Sequence, residues 1–187
     1  MASADVSASI RSISDELERA STTVAEADLS AFAALLDDAE RVFVHGAGRS
    51  GLALRMTAMR LMHLGKRVHV VGETTAPAIG DGDVLLTASG SGSTGAVVTA
   101  ARTAAEAGAG IAAITAVADS PLGELADAVV VVPAAAKLDR TGAASAQYAG
   151  SLFEQTVVVV GDAVFDALWH ASGATADDLW PRHANLE

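Results

Sequence analysis

The sequence predicts an α/β fold, a three-layer α-β-α sandwich built on a five-stranded parallel sheet. Three observations lead there. Five short β-branched runs recur along the 187 residues, helix-length segments separate several of them, and glycine-rich turns follow two of the runs. Strands that alternate with helices pair in parallel and need cover on both faces. The length suits one domain with a sizeable core.

Residues 5 to 37 read as one or two amphipathic helices packing on that core. Ile10, Ile13 and Leu17, then Leu29, Phe32, Ala33 and Leu36, fall at three-and-four spacing, and Asp28 is placed to cap the second helix. Arg41 to His45 is a first strand ending in glycine, and Leu52 to Leu64 has helical periodicity until Gly65 stops it. Val68–Val71, Val84–Ala88, Ile111–Thr115 and Val129–Val132 supply four more strands, with helix-length segments around Ala96–Ala107 and Leu122–Ala126. The last long element, Ala143–Ala171, has conflicting signals. Val157 to Val160 favour a strand locally, but the length and apolar flanks favour a helix, and a helix is expected. Residues 173–187 read as a C-terminal tail.

Composition narrows the function. Twelve Lys and Arg stand against 23 Asp and Glu, a formal charge of -11, so a general electrostatic grip on nucleic acid or anionic lipid is not expected. Any anionic ligand must be held locally. Hydrophobic residues make up 51% and aromatics 4%, so the core is built from Ala, Val, Leu and Ile. The surplus of apolar residues points to a subunit interface. Cysteine is absent, which excludes disulfides and thiolate catalysis and suits a reducing cytoplasm. Asp5, Asp15 and Glu16 interrupt what a signal peptide would need as an apolar stretch. The apolar run Thr156–Trp169 contains Asp162 and Asp166 and falls short of the roughly 20 residues that span a bilayer.

Ligands of open parallel sheets bind beyond the carboxyl ends of the strands, so the chemistry is sought in the loops there. The first loop, Gly46-Ala47-Gly48-Arg49-Ser50-Gly51, matches G-x-G-x-x-G between a strand and a helix, and Glu73 lies 22 residues on. That is the fingerprint of a dinucleotide fold. Opposing a redox enzyme, the only tyrosine, Tyr148, has Leu152 and not lysine four residues on. The same glycines would also serve a tight turn and close helix packing. The second loop, Ser89-Gly90-Ser91-Gly92-Ser93-Thr94, has the composition of a phosphate cradle, with flexible backbone N–H groups, short hydroxyls and a helix N-terminus behind it. No lysine follows, so it is not a Walker A loop.

Glu154 stands at the entrance of the apolar helix. Buried there it would be a general base working near neutrality, and otherwise it is a first-turn carboxylate favoured by the helix dipole. Asp162 and Asp166 read as solvated or arginine-paired. Of the five histidines, His45 and His69 lie in strand patterns, His63 on the helix after the first glycine loop, and His183 near the end. No close histidine pair suggests a metal site.

The segments VFVHGAGRSG, MRLMHLGKRVHVVGETTAP, DVLLTASGSGST, ADSPLGELADAVVVVPAAAK, GSLFEQ and RHANLE, in that order, resemble the sugar isomerase (SIS) family of phosphosugar-binding domains, in particular its hexulose-phosphate isomerase branch. The resemblance runs from about Leu29 to the C-terminus. It implies a flavodoxin-like doubly wound SIS domain, a homotetramer with active sites near subunit interfaces, and no cofactor. It implies interconversion of D-arabino-3-hexulose 6-phosphate and D-fructose 6-phosphate through a cis-enediol, as in the ribulose monophosphate pathway. By the same resemblance Glu154 is the base, and Gly48, Arg49, Ser50 and the loop Ser89, Gly90, Ser91, Gly92, Ser93 and Thr94 bind the substrate and its phosphate. His183 takes the place of a catalytic histidine that often reaches a neighbouring subunit; His63 falls in a motif typical of the hexulose-phosphate isomerases, as a second catalytic histidine or as polar support for the substrate, and the resemblance does not divide the acid and ring-opening roles between the two. Ala146-Gln147-Tyr148-Ala149-Gly150 departs from the Pro-Met-Gly pattern expected before the base, and Ser93 stands where some relatives carry arginine. Isomerases of arabinose 5-phosphate or sedoheptulose 7-phosphate, and a non-catalytic sugar-phosphate sensor, are the alternatives.

Overall fold

The computed structural model describes residues 5–25, 27, 29–134 and 145–186. Five strands, β1 (Val42–Gly46), β2 (Val68–Val70), β3 (Val84–Ser89), β4 (Gly110–Thr115) and β5 (Ala128–Val131), form one sheet in the order β2-β1-β3-β4-β5, all parallel. This is the doubly wound order in which the chain turns back between β1 and β3. The expected strands are all present, with boundaries shifted by about a residue.

Alternation along the strands divides the core. Val42, Val44, Val84, Leu86, Ala112, Ile114 and Val130 face one side, where they meet α2 (Ser30–Asp38), α3 (Gly48–Leu64) and α5 (Ser151–Ser172). Phe43, Leu85, Ile111 and Ala113 face the other, under α4 (Gly95–Glu106). At the amino edge Arg41 donates from Nε to Asp83 Oδ1 (2.8 Å) and from Nη2 to Oδ2 (2.6 Å), while Gly80 N–H reaches Oδ2 at 2.7 Å. Burial alone would raise the Asp83 pKa, but these bonds and the guanidinium charge hold it below the ordinary value.

Three elements differ from expectation. The segment Leu122–Ala126 contains only a three-residue 3-10 turn, Gly123–Leu125, because Gly123 sits with its Cβ position 2.0 Å from Ala118 O in a loop too tight for an α-helix. In α1 (Val6–Ala25), which packs against α5, the buried positions are Glu16, Ala20 and Val24, while Ile10 is exposed, so the fully buried residues all fall in the later part of the helix. The last long helix begins at Ser151. Its expected start at Ala143, and the cap expected from Asp28, lie outside the described residues.

The valines of α5 do not make it a strand, because eight of its residues are buried against neighbouring elements and tertiary packing overrides a weak local preference. Gly161 lets α5 approach α3 closely: a Cβ there would lie 2.0 Å from Thr57 Oγ1. Glu154 meets Arg49, Gly161 meets Thr57 and Phe165 meets Arg60, so the two helices run parallel and both begin at the carboxyl edge of the sheet. Among the described residues no single helix is long and apolar enough to cross a membrane. The chain ends in a short helix, α6 (Ala176–Leu179), and a 3-10 turn, Trp180–Arg182.

Candidate functional site

β1 and β3 are neighbours, yet the chain leaves β1 for α3 on one face and β3 for α4 on the other. The carboxyl edge between such departures is where doubly wound sheets hold their ligands. Gly46 pairs in register with Ala88, so the two glycine loops start side by side.

In the first loop, α3 is pressed onto the end of β1. A Cβ on Gly51 would lie 2.2 Å from Gly46 O, and one on Gly46 would lie 2.9 Å from Gly51 N. Only hydrogen fits at either place. Gly48, Arg49 and Ser50 therefore form the first turn of α3 at the rim, with Gly48 and Arg49 exposed.

The second loop is shaped by its own hydroxyls. Ser89 is buried and its Oγ lies 2.9 Å from Thr94 Oγ1, so these two residues brace the loop; Ser93 Oγ donates to Ser91 Oγ at 3.1 Å, and both of those serines are exposed. Gly92 has φ +62°, and a Cβ there would lie 2.0 Å from Ser120 Oγ. Gly92 O accepts from Leu122 N at 2.9 Å, and Gly90 O from Ala116 N at 3.1 Å, which ties the loop to the turn after β4. Gly90 also rests against Phe153, with its Cβ position 3.4 Å from Phe153 Cδ1.

Among the described residues no side chain caps the first turn of α3, α4 or α5. Their leading N–H groups and positive dipole ends lie at the same edge of the sheet, linked by Arg49–Glu154 and Gly90–Phe153, a setting for an anion in a chain whose net charge is strongly negative.

Glu154 lies in the first turn of α5 at this edge. It is half-buried, and Arg49 Nε is 2.6 Å from its Oε2. The carboxylate is thus not fully buried, and its ion-pair partner is a guanidinium. His45 lies below, at the end of β1. Its pKa is lowered by burial, against a smaller opposing effect of a backbone hydrogen bond at Ala96, and Nε2 has no partner among the described residues. Glu73, the candidate ribose-binding residue, is exposed after β2 and 3.5 Å from Arg55.

His63 and His183 come together, but elsewhere. Their rings stack with centroids 4.0 Å apart, Trp180 lies 4.8 Å from His183, and Arg182 Nη1 donates to His63 O at 3.2 Å. His63 is buried with its pKa lowered, chiefly by desolvation and then by the charges of His183 and Arg60. Gly48 and His63 are 15 positions apart on α3, about 22 Å at 1.5 Å per residue. The single chain therefore does not bring Glu154 to either histidine.

Two supports were not foreseen. Ser120 holds the turn behind Gly92, donating to Val117 O at 2.7 Å and accepting from Gly123 N at 3.2 Å. Glu16, on α1, binds the segment that leads into α5. The sequence held one signal for it, a carboxylate four and eight residues before Ala20 and Val24, in line with the buried stripe.

Two glycine loops and three uncapped helix N-termini at the switch point of a doubly wound parallel sheet, with a carboxylate beside them, define an α/β protein with a candidate anion site at the carboxyl edge of its sheet. The chain belongs to the SIS domain family, which matches residues 35–159. It is 54% identical over 183 residues to a 3-hexulose-6-phosphate isomerase of Mycobacterium gastri, covering 98% of this chain and 92% of that one. A 3-hexulose-6-phosphate isomerase of Bacillus subtilis is 34% identical over 179 residues, covering 95% and 97%. A Methanococcus jannaschii protein, whose crystal structure infers a molecular function of 3-hexulose-6-phosphate isomerase, superposes with a TM-score of 0.80 at 29% identity, over 96% of this chain and 99% of that one.

Proposed function

We propose that the chain interconverts D-arabino-3-hexulose 6-phosphate and D-fructose 6-phosphate, with Glu154 as the base. The observation that carries this reading is the position of Glu154, beside an anion cradle formed by two loops and three helix N-termini. The whole-length similarity to 3-hexulose-6-phosphate isomerases supplies the substrate class.

The phosphate sits at the Ser89–Thr94 loop, where backbone N–H groups and the hydroxyls of Ser91 and Ser93 receive it. Arg49 turns from Glu154 toward the anionic substrate and leaves the carboxylate free. Glu154 then removes the proton from C2, next to the C3 ketone, and the electron pair becomes the C2–C3 double bond of a cis-enediol. Returning the proton to C3 leaves the ketone at C2. The hydroxyl proton moves from O2 to O3, and this transfer suits an imidazole. The hexulose cannot close a five-membered ring because the oxygen it would use, on C6, carries the phosphate. Ring opening is therefore needed only on the fructose side.

His63 and His183 supply that imidazole from a neighbouring protomer in a homotetramer. Leu52, Met56, Met59 and Met62 form an exposed apolar stripe along α3, and Val6 and Ile10 another on α1, which supports assembly. Replacing Glu154 by Gln tests the assignment of the base. Turnover is expected to fall by about 10²- to 10⁴-fold while fructose 6-phosphate binding is retained. Turnover near the wild-type rate would remove Glu154 from that role.

A further inference from the structure

Glu16 lies far from Glu154 in the sequence, yet the structure connects the two. Its carboxylate is buried on α1 and accepts three hydrogen bonds from one short segment: Ser145 Oγ to Oε2 at 2.7 Å, Ala146 N to Oε1 at 2.7 Å, and Gln147 Nε2 to Oε2 at 3.1 Å. Ser145 Oγ also accepts from Gln147 N at 3.0 Å. Gln147 Oε1 then accepts from Gln155 Nε2 at 3.0 Å, which carries the connection onto α5 one residue beyond Glu154.

The segment so held contains a strained residue. Ala149 has φ +53°, the only positive value for a non-glycine among the described residues, and Gly150 N-caps α5 without a side-chain bond. Glu154 N donates to Gly150 O at 3.0 Å, and the Cβ position of Gly150 lies 3.6 Å from Glu154 Oε1. Any shift of residues 145–150 thus moves the backing of the Glu154 carboxylate.

We propose that Glu16 is a positioning residue, which holds the segment Ser145–Gly150 and through it the first turn of α5, so that Glu154 stands at the reacting carbon. The proposal rests on Glu154 being the base. It assigns to α1 a part in the reaction and gives a physical account of how the divergent sequence Ala146–Gly150 is ordered without Pro-Met-Gly.

The test is a double-mutant cycle with fructose 6-phosphate, measuring kcat and KM for Glu16→Gln, Glu154→Gln and the pair. Glutamine keeps the size of Glu16 but turns an amide N–H toward donors, so it breaks the anchor without emptying the site. Glu16→Gln is expected to lower kcat about tenfold to a hundredfold with KM changed by no more than about twofold, and to add no further loss once Glu154 is Gln. Gln147→Leu, which cuts the connection to Gln155 but leaves the bonds from Ser145 and Ala146, is expected to lower kcat in the same sense; this variant decides the matter if Glu16→Gln does not fold. The proposal is overturned if the folded Glu16→Gln enzyme keeps wild-type kcat, or if it loses the same factor with and without Glu154. Wild-type turnover in Glu154→Gln alone would instead overturn the base assignment, and this proposal with it.

Discussion

Replacing Gly92 by Ala tests whether the Ser89–Thr94 loop is a rigid cradle. At φ +62° an alanine costs about 1 kcal/mol relative to glycine. Its Cβ would lie 2.0 Å from Ser120 Oγ and 2.5 Å from Ser120 Cβ, so Ser120, itself buried, must move. That motion breaks the bonds to Val117 O and from Gly123 N, each worth about 1 kcal/mol. The sum is about 3 kcal/mol, which for a chain of this length lowers the melting temperature by about 6–12 °C. If the loop yields in place of Ser120, the bond from Leu122 N to Gly92 O is lost and the cradle changes shape. In either case the affinity for fructose 6-phosphate, measured by calorimetry, should fall about tenfold to a hundredfold, the equivalent of one charge-assisted hydrogen bond. Adding Ser120→Gly removes both clashing atoms and should restore most of the binding without restoring stability. A Gly92→Ala protein with wild-type affinity and melting temperature would refute a loop held in this shape.

Two further outcomes follow from groups in unusual states. Ala149→Gly relieves a positive φ and should raise stability by up to about 1 kcal/mol in chemical denaturation; a loss of stability would mean that the strain is not there. His45 and His63 have folded pKa values lowered by burial, so the unfolded chain takes up their protons first as pH falls below about 6.5. Their contribution to stability is complete above that pH and is lost as pH falls through the folded pKa values. Melting temperatures should therefore decline on going from pH 7.5 to 5.5, and less steeply in His63→Leu; equal slopes would show that His63 does not titrate differently on folding.

The sheet was legible because its central strands β3 and β4 are buried on both faces, which writes them as unbroken runs such as Val84–Ala88, and because Gly46 and Gly65 mark the ends of a strand and a helix. The two glycine loops were legible as composition, and Gly51 and Gly92 show why: each sits where a Cβ would strike backbone or a buried serine. What escaped was long-range. Periodicity placed Ile10 in the core, but where α1 meets α5 is decided by tertiary contact, and the buried stripe runs through Glu16 instead. Leu122–Ala126 has apolar helix-like content, but Gly123 is needed for a close approach to Ala118 O. The motifs named Glu154, His63 and His183 without their distances. A helix of 17 residues turned a list of three into two separate places.

Deuterium exchange measures the enediol itself. The protein is incubated with fructose 6-phosphate in deuterated water, and the sugar is followed by NMR. An isomerase acting through a C2–C3 enediol should incorporate deuterium at C3 as the 3-hexulose 6-phosphate appears, and Glu154→Gln should do neither. Fructose 6-phosphate that binds the wild-type protein yet keeps its C3 proton, with no hexulose formed, would contradict the proposed chemistry.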